Sequence, residues 1–488
     1  MTTLTEFISA DQHIDILSQF RALPTIEAQS TMLFSFLDEF QAQSSLVVRH
    51  KILIAVIHFL ELLAPKLSPA DLHSILTIYQ EKGIVSDNWV VMPEPPVQHI
   101  QALSQALRQQ ARHLLEAAVL NHCALPEITA QHHTAQIGPI TLTAPVRLDL
   151  GMGGISDIPP YCLEQPGNCL NVPIQLNGQA PIQVQIESIP APRVVLKSID
   201  QRKQFIPESF SSTQDCPPEL RIHLETLRFF LQEILRYESL SEFLERERQG
   251  IAITSSVSLP LGSGLGISTL LACLSIQALG LKFQLALDPH EFFSIGPYLE
   301  HKAQIGGGWE DVSALFPGFK LLQTSPAHPF TPTITPLIVT PDFIRKLQAS
   351  LCLLYTHLPK VTDIDFPALL ERYTLGDPDI LNQIDRTMAL NETVHAAIQA
   401  EDIIALGEAF SAQWENWKQL TNGQCTNPAI DALFTDIQPF VHGARLNGAG
   451  QGGFLSVVVD PDHRTEIFEK HRSIFQERTT SYSWEPVL

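Results

Sequence analysis

The segment Pro-Leu-Gly-Ser-Gly-Leu-Gly-Ile-Ser-Thr at 260–269 constrains this chain more than any other. It joins an extended apolar run at 250–259 to an apolar helical run at 270–279, so it reads as a turn from strand into helix. Such a turn aims unpaired backbone N–H groups and the positive end of a helix dipole at one point, which favours a phosphate chain. Gly262, Gly264 and Gly266 let backbone approach a ligand without a Cβ in the way, and Pro260, Ser263 and Leu265 complete the loop. Ser268 supplies a hydroxyl at the helix start, where a phosphate-bound Mg²⁺ takes such ligands. No lysine occurs in the segment, so it is not the G-x-x-x-x-G-K-[ST] loop. A glycine-rich turn without ligand is the plainer reading of this segment alone.

Two further segments bear on it. Upstream, 144–160 runs Ala-Pro-Val-Arg-Leu-Asp-Leu-Gly-Met-Gly-Gly-Ile-Ser-Asp-Ile-Pro-Pro; downstream, 443–454 runs Gly-Ala-Arg-Leu-Asn-Gly-Ala-Gly-Gln-Gly-Gly-Phe. In order and spacing the three resemble the motifs of the GHMP kinases, the family of galactokinase, homoserine kinase and mevalonate kinase, over roughly residues 137–488. The stretches 161–174, 306–311, 315–320 and 414–420 are similar to the kinase part of L-fucokinases and to the related heptose-phosphate kinases. In bifunctional fucokinases a nucleotide-sugar pyrophosphorylase is attached. No counterpart of its glycine-rich nucleotide loop is seen, so the kinase half alone is expected.

The resemblance implies an α+β, two-lobed GHMP kinase fold, with a ribosomal-S5-like N-terminal half and a ferredoxin-like C-terminal half. An α-helical region precedes it. The expected domains are 1–130 (helical), 137–336 (ATP-binding) and 345–488 (C-terminal). It also implies ATP and Mg²⁺ as cofactors, with ATP held by Pro260, Gly262, Ser263, Gly264, Leu265, Gly266 and Ser268, and the metal by Ser268 and Glu300. In the family an aspartate follows the metal-binding glutamate by 11 residues, and Asp311 stands at that distance from Glu300. Asp311 is assigned as general base or acceptor-orienting carboxylate, and Arg147 as the cation beside it. Asp157, Gly308, Trp309, Gly448 and Gly450 are the expected substrate-binding residues. Taken alone, Asp157 before Pro159-Pro160 reads equally as a turn cap, Arg147 as a strand-edge arginine and Glu300 as a solvated helix residue.

The chain departs from the fucokinase pattern at several points. Ten positions separate Arg147 from Asp157 where nine are usual, and Ile155 replaces a tryptophan. Ile267 stands where a small hydroxyl residue is preferred, Val312-Ser-Ala-Leu315 replaces a Gly-Gly, and Gln451 interrupts the last glycine run. The ATP site is expected to be serviceable and the acceptor pocket altered.

Composition bounds the rest. With 44% hydrophobic and 17% charged residues over 488 positions the chain is globular and long enough for two or three domains. A net charge of −21 argues against nucleic acid and anionic membranes as partners. The longest apolar stretch, 52–64, is interrupted by His58 and Glu61 and is shorter than a membrane span, and no secretory signal is visible. Seven cysteines without C-x-x-C spacing suggest reduced thiols and a cytoplasmic location. His132-His133 lack partner cysteines at zinc spacing.

Along the chain, 1–125 reads as helical, with one helix starting at Ser68-Pro69 and stopped by Gly83, a stiff connection at 92–96, and an amphipathic helix through Ile100, Leu103, Leu107, Ala111 and Leu115. The region is expected to be scaffold or a homodimer contact. Period-two alternation at 140–150 predicts half-buried strands, helices are expected at 219–235 and 240–247, and the proline-rich stretch 326–336 is expected to mark a domain boundary. The function expected is an ATP-dependent sugar kinase acting on the anomeric hydroxyl of L-fucose or a related sugar. The alternatives are a heptose-phosphate kinase, for which Lys302, Lys320 and Lys360 are the basic candidates, or a non-catalytic ATP/sugar sensor. The joint presence of Ser268, Glu300, Asp311 and Arg147 speaks against the sensor.

Overall fold

The computed structural model describes residues 15–67, 75, 77–78, 96–122, 138–212, 215–260, 262–358 and 364–488. The expected helix over 68–83 (apart from 75, 77 and 78), the connection at 92–95, Cys123, His132-His133, Leu261 and Lys360 lie outside the described residues. The chain forms two compact units: one of Met1–Asn121, Pro159–Gln165 and Phe366–Asn382, the other of His122–Ile158, Pro166–Asp365 and Gln383–Leu488.

The first unit is helical where described. The apolar stretch at 52–64 belongs to the helix Leu46–Leu63, which buries Ile52, Leu53, Val56, Phe59, Leu60 and Leu63 together. A helix apolar on nearly all sides is a core helix. Phe59 stacks on Phe20 with centroids 4.0 Å apart, and Leu103 and Leu107 of the helix Pro96–Leu120 join the same core. Arg108 of that helix forks between Glu61 and Glu371, while His58 holds the other side of Glu371 at 2.7 Å. No described helix is long and apolar enough to cross a membrane.

The second unit carries the strands. In chain order they are β1 (Ile140–Ala144), β2 (Val146–Gly151), β3 (Asn168–Leu176), β4 (Ile182–Ile189), β5 (Val194–Ser198), β6 (Lys203–Phe205) and β7 (Gly250–Val257). There follow β8 (Lys320–Ser325), β9 (His328–Pro336), β10 (Leu351–Tyr355), β11 (Gly443–Leu446), β12 (Phe454–Val458), β13 (Thr480–Tyr482) and β14 (Trp484–Pro486). They form three sheets: β1-β4-β7-β5-β6; β14-β3-β8-β9 with β2 also on β3; and β11-β12-β10-β13. The helix Ile267–Lys282 packs on β4 and β1, and the helix Ile403–Leu420 packs on β11. This is a mixed α+β architecture preceded by a helical region.

Two sequence expectations change, and a third segment gains a structure. The proline-rich stretch 326–336 forms β9, paired with β8 from Lys320↔Pro336 to Ser325↔His328. Prolines 329, 332 and 336 are tolerated because β9 is the edge strand, where a missing N–H costs no ladder bond. Strand β2 is buried along its whole length rather than half-buried, because its polar side chains meet partners inside the protein. The helix expected over 219–235 is broken into a 3₁₀ turn at Pro218–Leu220, an α-helix Arg221–Phe229 and a π turn Phe230–Ile234.

Candidate functional site

Arg147 and Asp149 stand two residues apart on β2, so their side chains leave the same face of the strand. Arg147 is 4% exposed and meets three carboxylates: Asp149, Asp311 through Nε, and Glu310 through Nη2 at 2.8 Å. Burial opposes its charge, but Asp149, Asp311 and Glu310 together hold its pKa well above the usual arginine value. The guanidinium is therefore a fixed positive charge among acids, not a strand-edge residue.

The 3₁₀ segment Trp309–Leu315 brings the acids there. Three successive residues lace it to the first motif. The Trp309 N–H donates to the Asp157 carbonyl at 3.2 Å, Glu310 Oε2 accepts from the Gly153 N–H at 2.9 Å, and Asp311 reaches Arg147. The other oxygen of Asp311 accepts from the Thr269 hydroxyl at 3.1 Å, in the first turn of Ile267–Lys282. Asp311 thus ties the first motif to the second. The ring of Trp309 is fully buried and packs against Phe293, and its backbone N–H makes the bond to the first motif.

The second-motif loop has Gly262, Gly264 and Gly266 at φ of 70°, 75° and 75°, a left-handed conformation that suits glycine. Ser263 and Leu265 are buried and anchor it. Gly266 caps the helix, and a Cβ there would lie 2.7 Å from Asp311 Oδ1. Ser268, two residues on, donates to Glu300 Oε1. Glu300 sits on the helix Phe292–Lys302, which tolerates Pro297 inside it. Glu300 is 1% exposed and its Oε2 has no hydrogen-bond partner. Burial and the charge of Asp311 push its pKa up to about 8, and the Ser268 and Thr269 hydroxyls pull the other way. A buried carboxylate with a spare oxygen beside a hydroxyl is a donor pair suited to a hard cation. Among the described residues no group of three or more His, Cys, Asp or Glu is arranged to hold a metal by protein ligands alone. Mg²⁺ bound mainly through phosphates does not require one.

The run 306–308 serves close approach. A Cβ on Gly307 would lie 1.9 Å from Glu300 Oε2, and one on Gly308 would lie 1.8 Å from Asp157 Oδ2. Asp157 is 3% exposed, and burial with the charge of Asp311 pushes its pKa up to about 7. It is an interior acid rather than a solvated turn cap.

The third motif packs on the second. A Cβ on Gly448 would meet Gly264 Cα at 2.7 Å, and one on Gly453 would meet the Gly262 carbonyl at 2.4 Å. The Phe454 N–H donates to the Ser263 carbonyl at 3.1 Å. Gly450 instead packs on the Cys425 carbonyl. Behind these loops runs a buried polar relay. Arg445 on β11 donates to the Asp149 carbonyl and, at 2.8 Å, to Gln413; Gln413 donates to Asn391; Asn391 donates to the Met152 carbonyl at 2.8 Å. Trp417 Nε1 donates to the Ala449 carbonyl at 3.0 Å.

Glu310, Asp149, Thr269, Arg445 and Asn391 were not singled out from sequence. Asp149 and Thr269 carried a signal, being one strand repeat from Arg147 and next to Ser268. Of the lysines weighed for a phosphorylated acceptor, Lys320 is 1% exposed and its Nζ donates to the Phe316 and Gly318 carbonyls, with burial bringing its pKa down to about 7. Lys302 lies over the Tyr298 ring. The six described cysteines are buried, and none of them is in a disulfide.

Residues 230–318 match the family model described as GHMP kinases N terminal domain. The chain is 31% identical over 338 residues to an L-fucokinase/L-fucose-1-P guanylyltransferase of Bacteroides fragilis, covering 66% of this chain and 35% of that protein. It is 27% identical over 379 residues to a bifunctional fucokinase/GDP-fucose pyrophosphorylase of Arabidopsis thaliana, covering 76% and 35%. The chain thus spans about a third of the length of these relatives. A solved D-glycero-D-manno-heptose 1-phosphate kinase from Bacteroides thetaiotaomicron shares the fold, with a TM-score of 0.53 at 20% identity over 71% of this chain and 96% of that one.

Proposed function

We propose that this chain, which carries a GHMP kinase N-terminal domain, is an ATP-dependent sugar kinase that phosphorylates the anomeric hydroxyl of L-fucose or a close relative. The observation that carries the proposal is the position of Asp311. One of its oxygens is on Arg147 and the other on Thr269, at the start of the helix that the glycine-rich loop caps. A carboxylate so placed faces the end of a phosphate chain lying across the N–H groups of 262–268.

In this reading the loop holds the β- and γ-phosphates of ATP, and Ser268 and Glu300 would hold Mg²⁺, which would supply neutralisation of the charge developing on the phosphates. Asp311 accepts the proton of the sugar hydroxyl as that oxygen bonds to the γ-phosphorus and the bond to the β-phosphate oxygen breaks, releasing ADP. Arg147 orients Asp311 and stabilises charge during transfer. Asp157, held at the first motif by Trp309, accepts from sugar hydroxyls. The internal bonds of Lys320 speak against a phosphorylated acceptor.

The test is ADP release from Mg·ATP with L-fucose, other hexoses and heptose phosphates. Asp311→Asn is expected to lower turnover by about 10³-fold or more while ATP binding by calorimetry stays within error. Turnover at the native rate in that variant removes Asp311 from the mechanism.

A further inference from the structure

Glu310 stands one residue before Asp311 on the 3₁₀ segment Trp309–Leu315, and its carboxylate bridges two parts of the first motif. Oε1 lies 2.8 Å from Arg147 Nη2 on β2, and Oε2 accepts from the Gly153 N–H at 2.9 Å in the turn that follows β2. The side chain of Glu310 is 12% exposed and that of Arg147 is 5% exposed. A guanidinium is a rigid planar fork, so the carboxylates on its nitrogens are fixed relative to one another. Through Arg147, Glu310 is therefore fixed relative to Asp311, which takes Nε. Through Gly153 it closes on Asp157: a Cβ on Gly153 would lie 2.5 Å from Glu310 Oε2 and 2.8 Å from Asp157 Oδ1. Gly153 is not among the left-handed glycines, so these two acids, and not the backbone, exclude a larger residue there.

We infer that Glu310 is a positioning residue of the acceptor site: by holding Arg147 with one oxygen and the Gly153 N–H with the other, it sets the distance between Asp311, the acid at the point of transfer, and Asp157, the acid that receives the sugar. The inference rests on the sugar-kinase reading and adds to it the residue that spaces its two acceptor-side acids. With each oxygen on a protein donor, Glu310 acts through its neighbours and not by touching the sugar. A carboxylate suits the task because it offers an accepting oxygen to each donor. A glutamine of the same shape offers one, and its NH₂ group would face either the guanidinium or the Gly153 N–H. Loss of either tie frees the turn carrying Gly153 and Asp157 from Arg147, and a misplacement of about 1 Å slows transfer on the order of 10²-fold.

The experiment is a double-mutant cycle read by ADP release with the sugar that is turned over fastest. Glu310→Gln should lower kcat/KM for that sugar by roughly 10- to 100-fold, the range for a lost hydrogen bond to a charged group, while ATP affinity by calorimetry stays within about threefold. In the Asp157→Ala background the same substitution should cost less than about threefold, because no sugar-binding acid is left to place. A merely structural defect costs the same factor in both backgrounds. If Glu310→Gln does not fold, Gly153→Ala, whose Cβ would displace the same two carboxylates, takes its place in the cycle with the same expectation. Equal losses in the two backgrounds, or sugar kinetics within about threefold of wild type in the single variant, overturn the inference and leave the kinase reading standing. A wild type that releases no ADP with any sugar overturns both.

Discussion

Replacing Gly308 by alanine should damage sugar transfer through space alone. The backbone there has φ −115° and ψ −178°, an extended conformation open to any residue, so no conformational strain enters. The added Cβ would lie 1.8 Å from Asp157 Oδ2 and 2.6 Å from the Asp157 carbonyl oxygen, whereas ordinary contact begins near 3.4 Å. The shortfall is about 1.6 Å. That carbonyl also accepts from the Trp309 N–H, so the backbone cannot retreat without breaking the tie between the first motif and the segment carrying Asp311. A misplacement of about 1 Å costs on the order of 10²-fold in rate, so kcat/KM for the sugar should fall by about 100-fold, or ~2.7 kcal/mol. Gly306→Ala is the matched control. It has φ +75° and nothing within 4 Å of its Cβ, so it incurs about 1–2 kcal/mol of backbone strain and no clash.

The assay is coupled ADP release with sugar varied at saturating Mg·ATP, alongside calorimetric ATP binding and thermal midpoints. Gly308→Ala should lose sugar kcat/KM and keep ATP affinity, while Gly306→Ala should lower the midpoint and keep sugar kcat/KM within about threefold. Equal sugar kinetics in the two folded variants would refute the reasoning, because it would mean that Asp157 and Gly308 do not need their close approach.

The same contrast applies to the nucleotide loop. Gly264→Ala, whose Cβ would meet the Asn447 carbonyl at 2.3 Å, should raise the KM for ATP by about 100-fold; Gly262→Ala, equally left-handed but with open space around it, should raise it only a few-fold. Equal effects would mean that contact with the third motif does not shape the loop. A separate prediction concerns pH. His223 is buried, its Nε2 lies 2.9 Å from Ser255 Oγ, and burial brings its pKa down to about 4 from the ordinary 6.5. The unfolded chain therefore binds more protons between those values, so the contribution is fully present above pH 6.5 and is lost as pH falls toward 4. His223→Gln should remove a stability change on the order of 3 kcal/mol between pH 6.5 and 4, read from urea unfolding followed by tryptophan fluorescence. A slope that persists in the variant would assign it to other groups.

How far the site was legible depends on the range of the interactions that build it. The glycine loop and the start of its helix are encoded by adjacent residues, and the sequence located them because left-handed glycines and a helix-start hydroxyl are local requirements. Glu300 and Asp311 were found through spacing and resemblance, but the purpose of the glycines between them was not legible. Gly307 and Gly308 stand where two buried carboxylates occupy the space a methyl group would take, and no local pattern encodes Asp157, a neighbour of Gly308 151 residues away in the chain. The most instructive miss is β2. Its alternation was read as an apolar inner face at Val146, Leu148 and Leu150 and a polar outer face at the positions between. Period two does separate the faces, but it cannot say that the polar one meets water. Here that face carries Arg147 and Asp149 into a cluster with Glu310 and Asp311, so the strand is buried on both sides. An arginine and an aspartate two residues apart in an otherwise apolar strand, next to a glycine turn, are costly to bury separately and tolerable when paired. That economy makes an alternating strand with opposite charges on one face a candidate site before any fold is known, and it is why Asp149 belonged with Arg147 from the start.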